Sequence, residues 1–501
     1  MRGTTVEVAA IGSFPDWPVA AWCSRGDIAV AAAEESGKIV VTIPAEASPG
    51  VCWIRLHTAG GAATPRPFVV GHLPEVLEQD PNDSPAEPQT ISSLPMTING
   101  RFSGRNDADV YSFTAAAGQT IVSSLDAQHS LGSPVDAALQ IVSADGFVLA
   151  QSHDVRGTDP LAVHVATVGG TYLVRAFGFP QTADSTIGFS AGDDFVYRLT
   201  LACGPYLDYV SPFAVMQGES VSAEVFGWNV PDELRQLSIA ATGEEERLVL
   251  FSPALAGTAG VRIERHACFR AEGGTLDAPQ PLALPCSVSG RLAQPRERDA
   301  YSFQAVEGQA FEFTIESRAL GMQLDGVLQV LDAAGTVLAR ADDVGENRDP
   351  ELLFNAPRAE TYRLVVSDLF RRGGGRQAYL LRATAAEPDF RLTVAEHAFQ
   401  PAAGAPLEIA IAIERRHGFA GDIALEARNL PAGVTAAACV SSAGETAQQV
   451  KLILSGAAAA GAPFRIVGRE TGEAPRERAA RWAAAPASLP LWDFWLAPAP
   501  Q

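Results

Sequence analysis

Basic residues are scarce in this chain of 501 residues. Lys and Arg together number 37 against 58 Asp and Glu, which leaves a net charge of −21 at pH 7. Binding a phosphate backbone requires a positive surface, so nucleic acid is excluded as a partner. An anionic membrane surface is disfavoured by the same sign of charge. Long apolar runs are missing too, so no spanning helix is predicted and membrane insertion is excluded. The apolar stretch from Trp482 to Gln501 is interrupted by Pro486, Pro490, Pro498, Pro500 and Asp493.

Cysteines number six, and none are spaced C-x-x-C, which removes the zinc sites built on that motif. Cys23 with Cys52 share one short domain, and Cys268 with Cys286 flank a linker. Either pair is a candidate disulfide, and six partly buried thiols are the alternative. The eight histidines contain no H-E-x-x-H pair, and no nucleotide-cradling glycine motif occurs. The first residues, Met1–Val8, lack the apolar core of a secretory signal and read as a strand.

What the chain does have is apolar content for real cores, at 47%, and many turn formers, with Gly 45 and Pro 34. Its length predicts about four or five domains. An internal repeat dominates the pattern. Gly100, Asp109, Tyr111 and Phe113 match Gly290, Asp299, Tyr301 and Phe303 in order. The match continues through Leu131-Gly132 with Leu320-Gly321, Asp159-Pro160 with Asp349-Pro350, and Thr171-Tyr172 with Thr361-Tyr362. Within each copy apolar residues alternate, as in Ala138-Leu139-Gln140-Ile141-Val142, and turns recur at roughly ten-residue spacing. That is the signature of an all-β, tandem β-sandwich protein.

The expected organisation has six parts. Residues 1–74, 204–272 and 387–470 read as immunoglobulin-like sandwiches. Residues 75–203 and 273–386 are the duplicated sandwich, and 471–501 form a tail rich in Pro, Ala and Trp. The tail tryptophans Trp482, Trp492 and Trp495 are expected to dock on a neighbouring sheet or to face a partner.

Asp80-Pro81-Asn82-Asp83, Asn99-Gly100-Arg101, Asp107-Ala108-Asp109-Val110-Tyr111-Ser112-Phe113 and the closing Tyr197-Arg198-Leu199 resemble the bacterial pre-peptidase C-terminal domain. The resemblance covers about 80–200 and 275–384. It implies a jelly-roll-like sandwich of the kind appended to secreted proteases and found in large surface proteins. The alternation with immunoglobulin-like units resembles multi-domain proteins of planctomycete-type bacteria. It implies an extracellular or cell-surface location, and hence a start that is truncated or misassigned.

The strongest candidate site lies in the first repeat. Calcium takes about six to eight oxygen ligands, so it needs clustered carboxylates and amides. Glu78, Asp80, Asn82 and Asp83 supply them in the linker, and Asn106, Asp107 and Asp109 at the next turn. The resemblance implies that these two segments share a calcium ion; ordinary turn chemistry is the competing account. The second repeat has Arg296, Glu297 and Arg298 at that turn and lacks the Asp-Pro-Asn-Asp segment, so no metal is expected there. Two further acid groups, Asp193-Asp194 and Asp342-Asp343 with Glu346 and Asp349, read as solvated loops.

The string Gly188-Phe189-Ser190-Ala191-Gly192 matches G-x-S-x-G. A nucleophile elbow needs a strand before the serine and a helix after it, whereas a loop and a strand are expected here, so the match is read as chance. No catalytic residue is expected. The expected function is a non-catalytic secreted or surface protein that binds or presents to extracellular polysaccharide or protein. The alternative is a non-catalytic accessory region of a secreted peptidase.

Overall fold

The computed structural model describes residues 1–501 apart from 15, 105, 181–187, 244–245, 344–347, 473–474, 487–488 and 500–501. The protein is all-β. Among the described residues helix is confined to Gln128–Leu131 and two 3₁₀ turns, Asp232–Leu234 and Arg318–Leu320. None is long and apolar enough to cross a membrane. Two compact units form: Met1–Gly71 with Glu387–Gln501, and His72–Ala386.

The unit His72–Ala386 contains the duplicated sandwich twice. In the first copy a six-stranded sheet packs against a five-stranded one, and the second copy has two five-stranded sheets. Strand Met96–Arg101 pairs antiparallel with Val196–Ala202, which sets Gly100 opposite Tyr197. Strand Cys286–Arg291 pairs in the same way with Ala378–Ala385, which sets Gly290 opposite Tyr379. The inward residues of each copy form one core: Tyr111, Phe113, Leu125, Ile141 and Leu199 in the first, and Tyr301, Phe303, Ile315, Val330 and Leu381 in the second. Period-two alternation puts these side chains on one face, and burying each large apolar group contributes about 1.5–3 kcal/mol.

Between the copies sits a smaller module of two three-stranded sheets. One contains Tyr206–Ser211, Ser220–Trp228 and Gln236–Ala240, and the other Ala214–Met216, Ala259–Glu264 and Arg247–Leu250. It packs on both neighbours. Tyr206 and Ala256 join Val122, Leu161 and Ala202 of the first copy. Tyr209 and Phe213 join Met322 and Leu380 of the second. Asp208, on the strand between these contacts, receives Arg156 Nη2 at 2.9 Å and Nη1 of Arg376. One carboxylate thus holds an arginine from each copy.

In the other unit, residues 1–71 form a three-stranded and a four-stranded sheet, and residues from 387 onward form a five-stranded and a six-stranded sheet. The segment beyond Glu470 supplies strands to the latter two. Glu477–Ala479 pairs with Ala462–Glu470, Arg481–Trp482 runs parallel to Asp389–Val394, and Phe494–Leu496 closes against Ala462–Phe464. Trp495 is buried against His57 of the amino-terminal module, with ring centroids 4.2 Å apart. Leu489 and Leu491 cover Trp53 of the same module.

Candidate metal centre

The acid cluster is assembled by two segments of the first repeat. The linker enters as a short strand, Glu75–Leu77, parallel to Met96–Arg101. It is anchored by Arg198, whose Nη2 lies 2.9 Å from Glu75 Oε1. The chain then turns, and Asn82 O accepts the Val110 N–H at 2.9 Å, laying the linker along strand Ala108–Ala115. Asp107 and Asp109 flank the start of that strand and point the same way by its period of two.

The carboxylates of Glu78, Asp80 and Asp109 offer oxygens within 4.8 Å of one another, as do those of Asp83, Asp107 and Asp109. Asn82 is fully buried, Asp109 equally so, and Asp107 is 5% exposed. One side of each buried carboxylate is satisfied, whereas neither Oδ1 nor Nδ2 of Asn82 has a partner. Glu78 Oε2 accepts the Arg101 N–H at 2.7 Å, Asp107 Oδ2 accepts the Ser103 N–H at 2.6 Å, and Asp109 Oδ2 accepts the Tyr197 hydroxyl at 2.5 Å. The other side is not. Glu78 Oε1, Asn82 Oδ1, Asp107 Oδ1 and Asp109 Oδ1 are buried without a hydrogen-bond partner. Unsatisfied buried oxygens are costly, and clustered acids repel.

The titration behaviour follows from this crowding. Burial, with Glu78 alongside, pushes the Asp109 carboxyl up to about 11. Glu78 is also raised, first by burial and then by the charges of Asp80 and Asp107. Asp83, although exposed, is raised by partial desolvation and by Asp107 and Asp80. A dication at this spot would reverse these shifts, since it favours the ionised form of every oxygen ligand. Of the residues expected at the site, Glu78 and Asp80 meet Asp109 in one group, Asp83 and Asp107 meet it in another, and Asn82 is held alongside by its backbone bond to Val110. Asn106 does not join them. It adopts φ 65°, and its Oδ1 accepts the Phe189 N–H at 3.1 Å.

Sequence reasoning quoted Tyr197 as a closing motif and missed its part in the site. The hydroxyls of Tyr111 and Tyr197 lie 2.5 Å apart, so a buried Tyr111–Tyr197–Asp109 chain supports the carboxylate from beneath. The second copy keeps this chain as Tyr301, Tyr379 and Asp299, with the two hydroxyls 2.7 Å apart. The signal was present as a tyrosine recurring at the same point of both copies.

The second copy lacks the linker donors at the Glu78 and Asn82 positions. Ala271 N–H bonds to Ser289 O as Glu78 N–H does to Asn99 O, so alanine stands in the glutamate's place. Gly274 O accepts Ala300 N–H where Asn82 O accepts Val110 N–H. At the Asp107 position the carboxylate is kept: Glu297 accepts the Gln294 N–H at 2.6 Å as Asp107 accepts the Gly104 N–H at 3.2 Å.

One expectation needs correction. Asp349 is not a solvated loop residue. It is 5% exposed and accepts the N–H groups of Ser317, Arg318 and Ala319 at 2.8–3.1 Å, capping the turn that follows strand Ala310–Glu316. Its counterpart Asp159 does the same for Gln128 and His129, both at 2.9 Å. Glu346, grouped with Asp349 in the sequence, lies outside the described residues. The Gly188–Gly192 string has no regular structure and is followed by strand Val196–Ala202, so the elbow geometry is not formed.

Fold and site together define a class: a multi-module, all-β protein whose duplicated sandwich carries a buried acid cluster in one copy. No protein-family model matches the chain. A segment of 97 residues, 19% of the chain, is 33% identical to part of a probable subtilase-type serine protease of Deinococcus radiodurans, and it spans 13% of that protein. Among solved structures the chain is similar to the pre-peptidase C-terminal domain of a collagenase from Bacillus anthracis. There the identity is 17%, the coverage 21% of this chain and 94% of that one, and the TM-score 0.18. It is also similar to the M60 catalytic domain with its CBM51 domains from Clostridium perfringens ZmpB, at 10% identity over 72% of this chain and 43% of that one, with a TM-score of 0.16. The fold itself rests on the strand pairing.

Proposed function

We propose that the chain is a non-catalytic, extracellular or cell-surface protein whose sandwiches present loops to polysaccharide or protein, and whose first repeat binds one calcium ion. The observation that carries the metal reading is that Glu78, Asn82, Asp107 and Asp109 each keep a buried oxygen lacking a partner, with the three carboxylates in groups that share Asp109. Carboxylate and amide oxygens without nitrogen or sulfur donors suit a hard cation. The ion would join the linker to the first sandwich and neutralise acids that otherwise stay protonated. The chain's acidity keeps such an array soluble and dispersed.

The experiment is a thermal melt of the full chain in excess EDTA and in millimolar calcium. A ligand bound only to the folded state stabilises it by about 2.7 kcal/mol at a hundredfold excess over Kd. A calcium-dependent rise of several degrees that disappears in Asp109→Asn and Glu78→Gln supports the site. Superimposed melts reject it. Pull-down of a polysaccharide or matrix protein without turnover supports the binding role.

A second reading is favoured by the 33% identical segment: a non-catalytic accessory region of a secreted peptidase. Casein hydrolysis by the chain, lost in Ser190→Ala, would replace both readings with a catalytic one.

A further inference from the structure

The amino-terminal module carries a feature that the calcium reading does not use. Strand Ala20–Cys23 pairs antiparallel with Gly50–Thr58, with Cys23 opposite Ile54. The ladder continues through Ser24, whose N–H bonds to Trp53 O at 2.9 Å. Cys52 is two residues from Ile54, so by the period of two both point to the face that Cys23 shares. Both thiols belong to the same core, packed with Ile28, Val41 and Ile54. Cys52 is near enough to Cys23 to influence its titration.

The two sulfurs differ in access. Cys52 is 1% exposed and reaches Phe68 O at 3.5 Å, while Cys23 is only half-buried. Arg25, two residues on, is fixed by Asp27 at 2.6 Å and by Ser48 O at 2.7 Å. The hydrogen bond from Cys52, followed by the Arg25 backbone and charge, lowers the Cys23 thiol to about 7. A half-exposed, thiolate-prone cysteine beside a buried partner is the arrangement of an attacking and a resolving sulfur.

The other close pair in sequence is geometrically unlike it. Strand Ala267–Arg270 runs parallel to Cys286–Arg291 with Ala267 opposite Cys286 and Cys268 opposite Ser287. Cys268 and Cys286 therefore face opposite sides of their sheet and sit in separate apolar clusters. Cys203 and Cys439 belong to other modules.

We infer that Cys23 and Cys52 form an oxidisable dithiol that closes to a disulfide across the amino-terminal sheet when the chain meets a small-molecule disulfide. The Cys23 thiolate attacks one sulfur of that disulfide, breaking its S–S bond and releasing one thiolate. Cys52 then gives its proton to solvent and attacks the Cys23 sulfur, displacing the second thiolate. Two protein thiols are oxidised and one small disulfide is reduced to two thiols. The closed loop ties strand Ala20–Cys23 to Gly50–Thr58, and a loop of this length restricts the unfolded chain appreciably.

The test uses the full chain incubated with oxidised glutathione, then denatured, alkylated and digested. Peptides containing Cys23 and Cys52 are expected to be joined and lighter by two hydrogens, with the other four cysteines alkylated. The oxidised chain should melt several degrees above the reduced one, and Cys23→Ser or Cys52→Ala should abolish that difference while Cys268→Ser leaves it. The peptide assay on the unsubstituted chain needs no variant to fold. Full alkylation of both cysteines after oxidation, a stable glutathione adduct on Cys23, or pairing of either with a different cysteine would each overturn the inference.

Discussion

Gly274 holds in the second repeat the position that Asn82 holds in the first: each carbonyl accepts an N–H from the strand that begins the sandwich, Ala300 N–H at 2.8 Å and Val110 N–H at 2.9 Å. A β-carbon on Gly274 would lie 2.3 Å from Ala300 O and 2.6 Å from Gln280 N. Its backbone therefore runs too close for any side chain there. The two copies share a scaffold, but only one leaves room for a donor at this point.

The first prediction concerns stoichiometry. Calorimetric titration of the full chain with calcium is expected to give a single site, removed by Asp109→Asn and retained in Asp299→Asn. Restoring acid to the second copy with Ala271→Glu is not expected to create another site, because the Gly274 backbone supplies no side-chain oxygen. Two equivalents of bound calcium would contradict this.

A pH prediction follows from the raised carboxyl of Asp109. Its folded value of about 11 stands above its unfolded value of 3.8. The folded state therefore holds a proton that the unfolded state releases, and stability falls as pH rises above about 4. In EDTA the melting temperature should drop between pH 5 and 8. With calcium the site is ionised and the drop should vanish, so the gap between the two melting curves widens with pH. Parallel profiles with and without calcium would show that Asp109 is not a ligand. Asp299, raised to about 6 mainly by burial, adds a calcium-independent slope confined to pH below about 6.

The matched glycines have a specific cost. In the second copy a β-carbon on Gly290 would fall 2.2 Å from Tyr379 Cζ, and in the first copy one on Gly100 would fall 2.3 Å from Tyr197 Cζ. The ring that supports each aspartate lies flat over its cross-strand glycine. Gly290→Ala should therefore destabilise by about 1–3 kcal/mol through overpacking, measured by urea unfolding. Gly100→Ala should cost a similar amount and also weaken calcium binding, because displacing Tyr197 displaces Asp109. Equal calcium affinity in Gly100→Ala and the parent chain would separate the tyrosine from the site.

Much of this arrangement is legible in the sequence because it is local or repeated. The Gly, Asp and Tyr positions recur in order, and period-two alternation identifies the strands around them. The acid segments lie within about thirty residues of each other, so turn chemistry brings them together. What stayed hidden depends on distant pairing. The role of Asp349 as a cap needed the Ser317–Ala319 turn, whose N–H groups look like any others in sequence. The strands at Arg481–Trp482 and Phe494–Leu496 are too short and proline-flanked to show alternation, and they form because sheet edges are available to receive them.

Asp208 gave no sequence signal at all, since its partners Arg156 and Arg376 lie far away on either side. Burial alone would raise its carboxyl, but the two guanidinium groups more than offset this and hold it below the usual range. Its side chain is 4% exposed, and those of Arg156 and Arg376 are 25% and 15% exposed. Arg376 also donates to Gly321 O and, at 3.5 Å, to Val155 O, so its head group touches both sandwich copies. Removing the carboxylate leaves two arginines facing each other with little water, and breaking a buried pair in this way costs about 3–5 kcal/mol. Asp208→Ala is expected to lower the unfolding free energy measured in urea by that amount. It should also expose the segments around Tyr206–Ser211 to limited proteolysis, while Arg376→Met, which removes one charge and keeps an apolar stem, should cost less. The double variant Asp208→Ala/Arg376→Met should recover part of the loss, because it relieves the repulsion that the single change creates. Strict additivity of the two single changes would mean that the central module is held by the apolar contacts of Tyr206, Tyr209 and Phe213 alone.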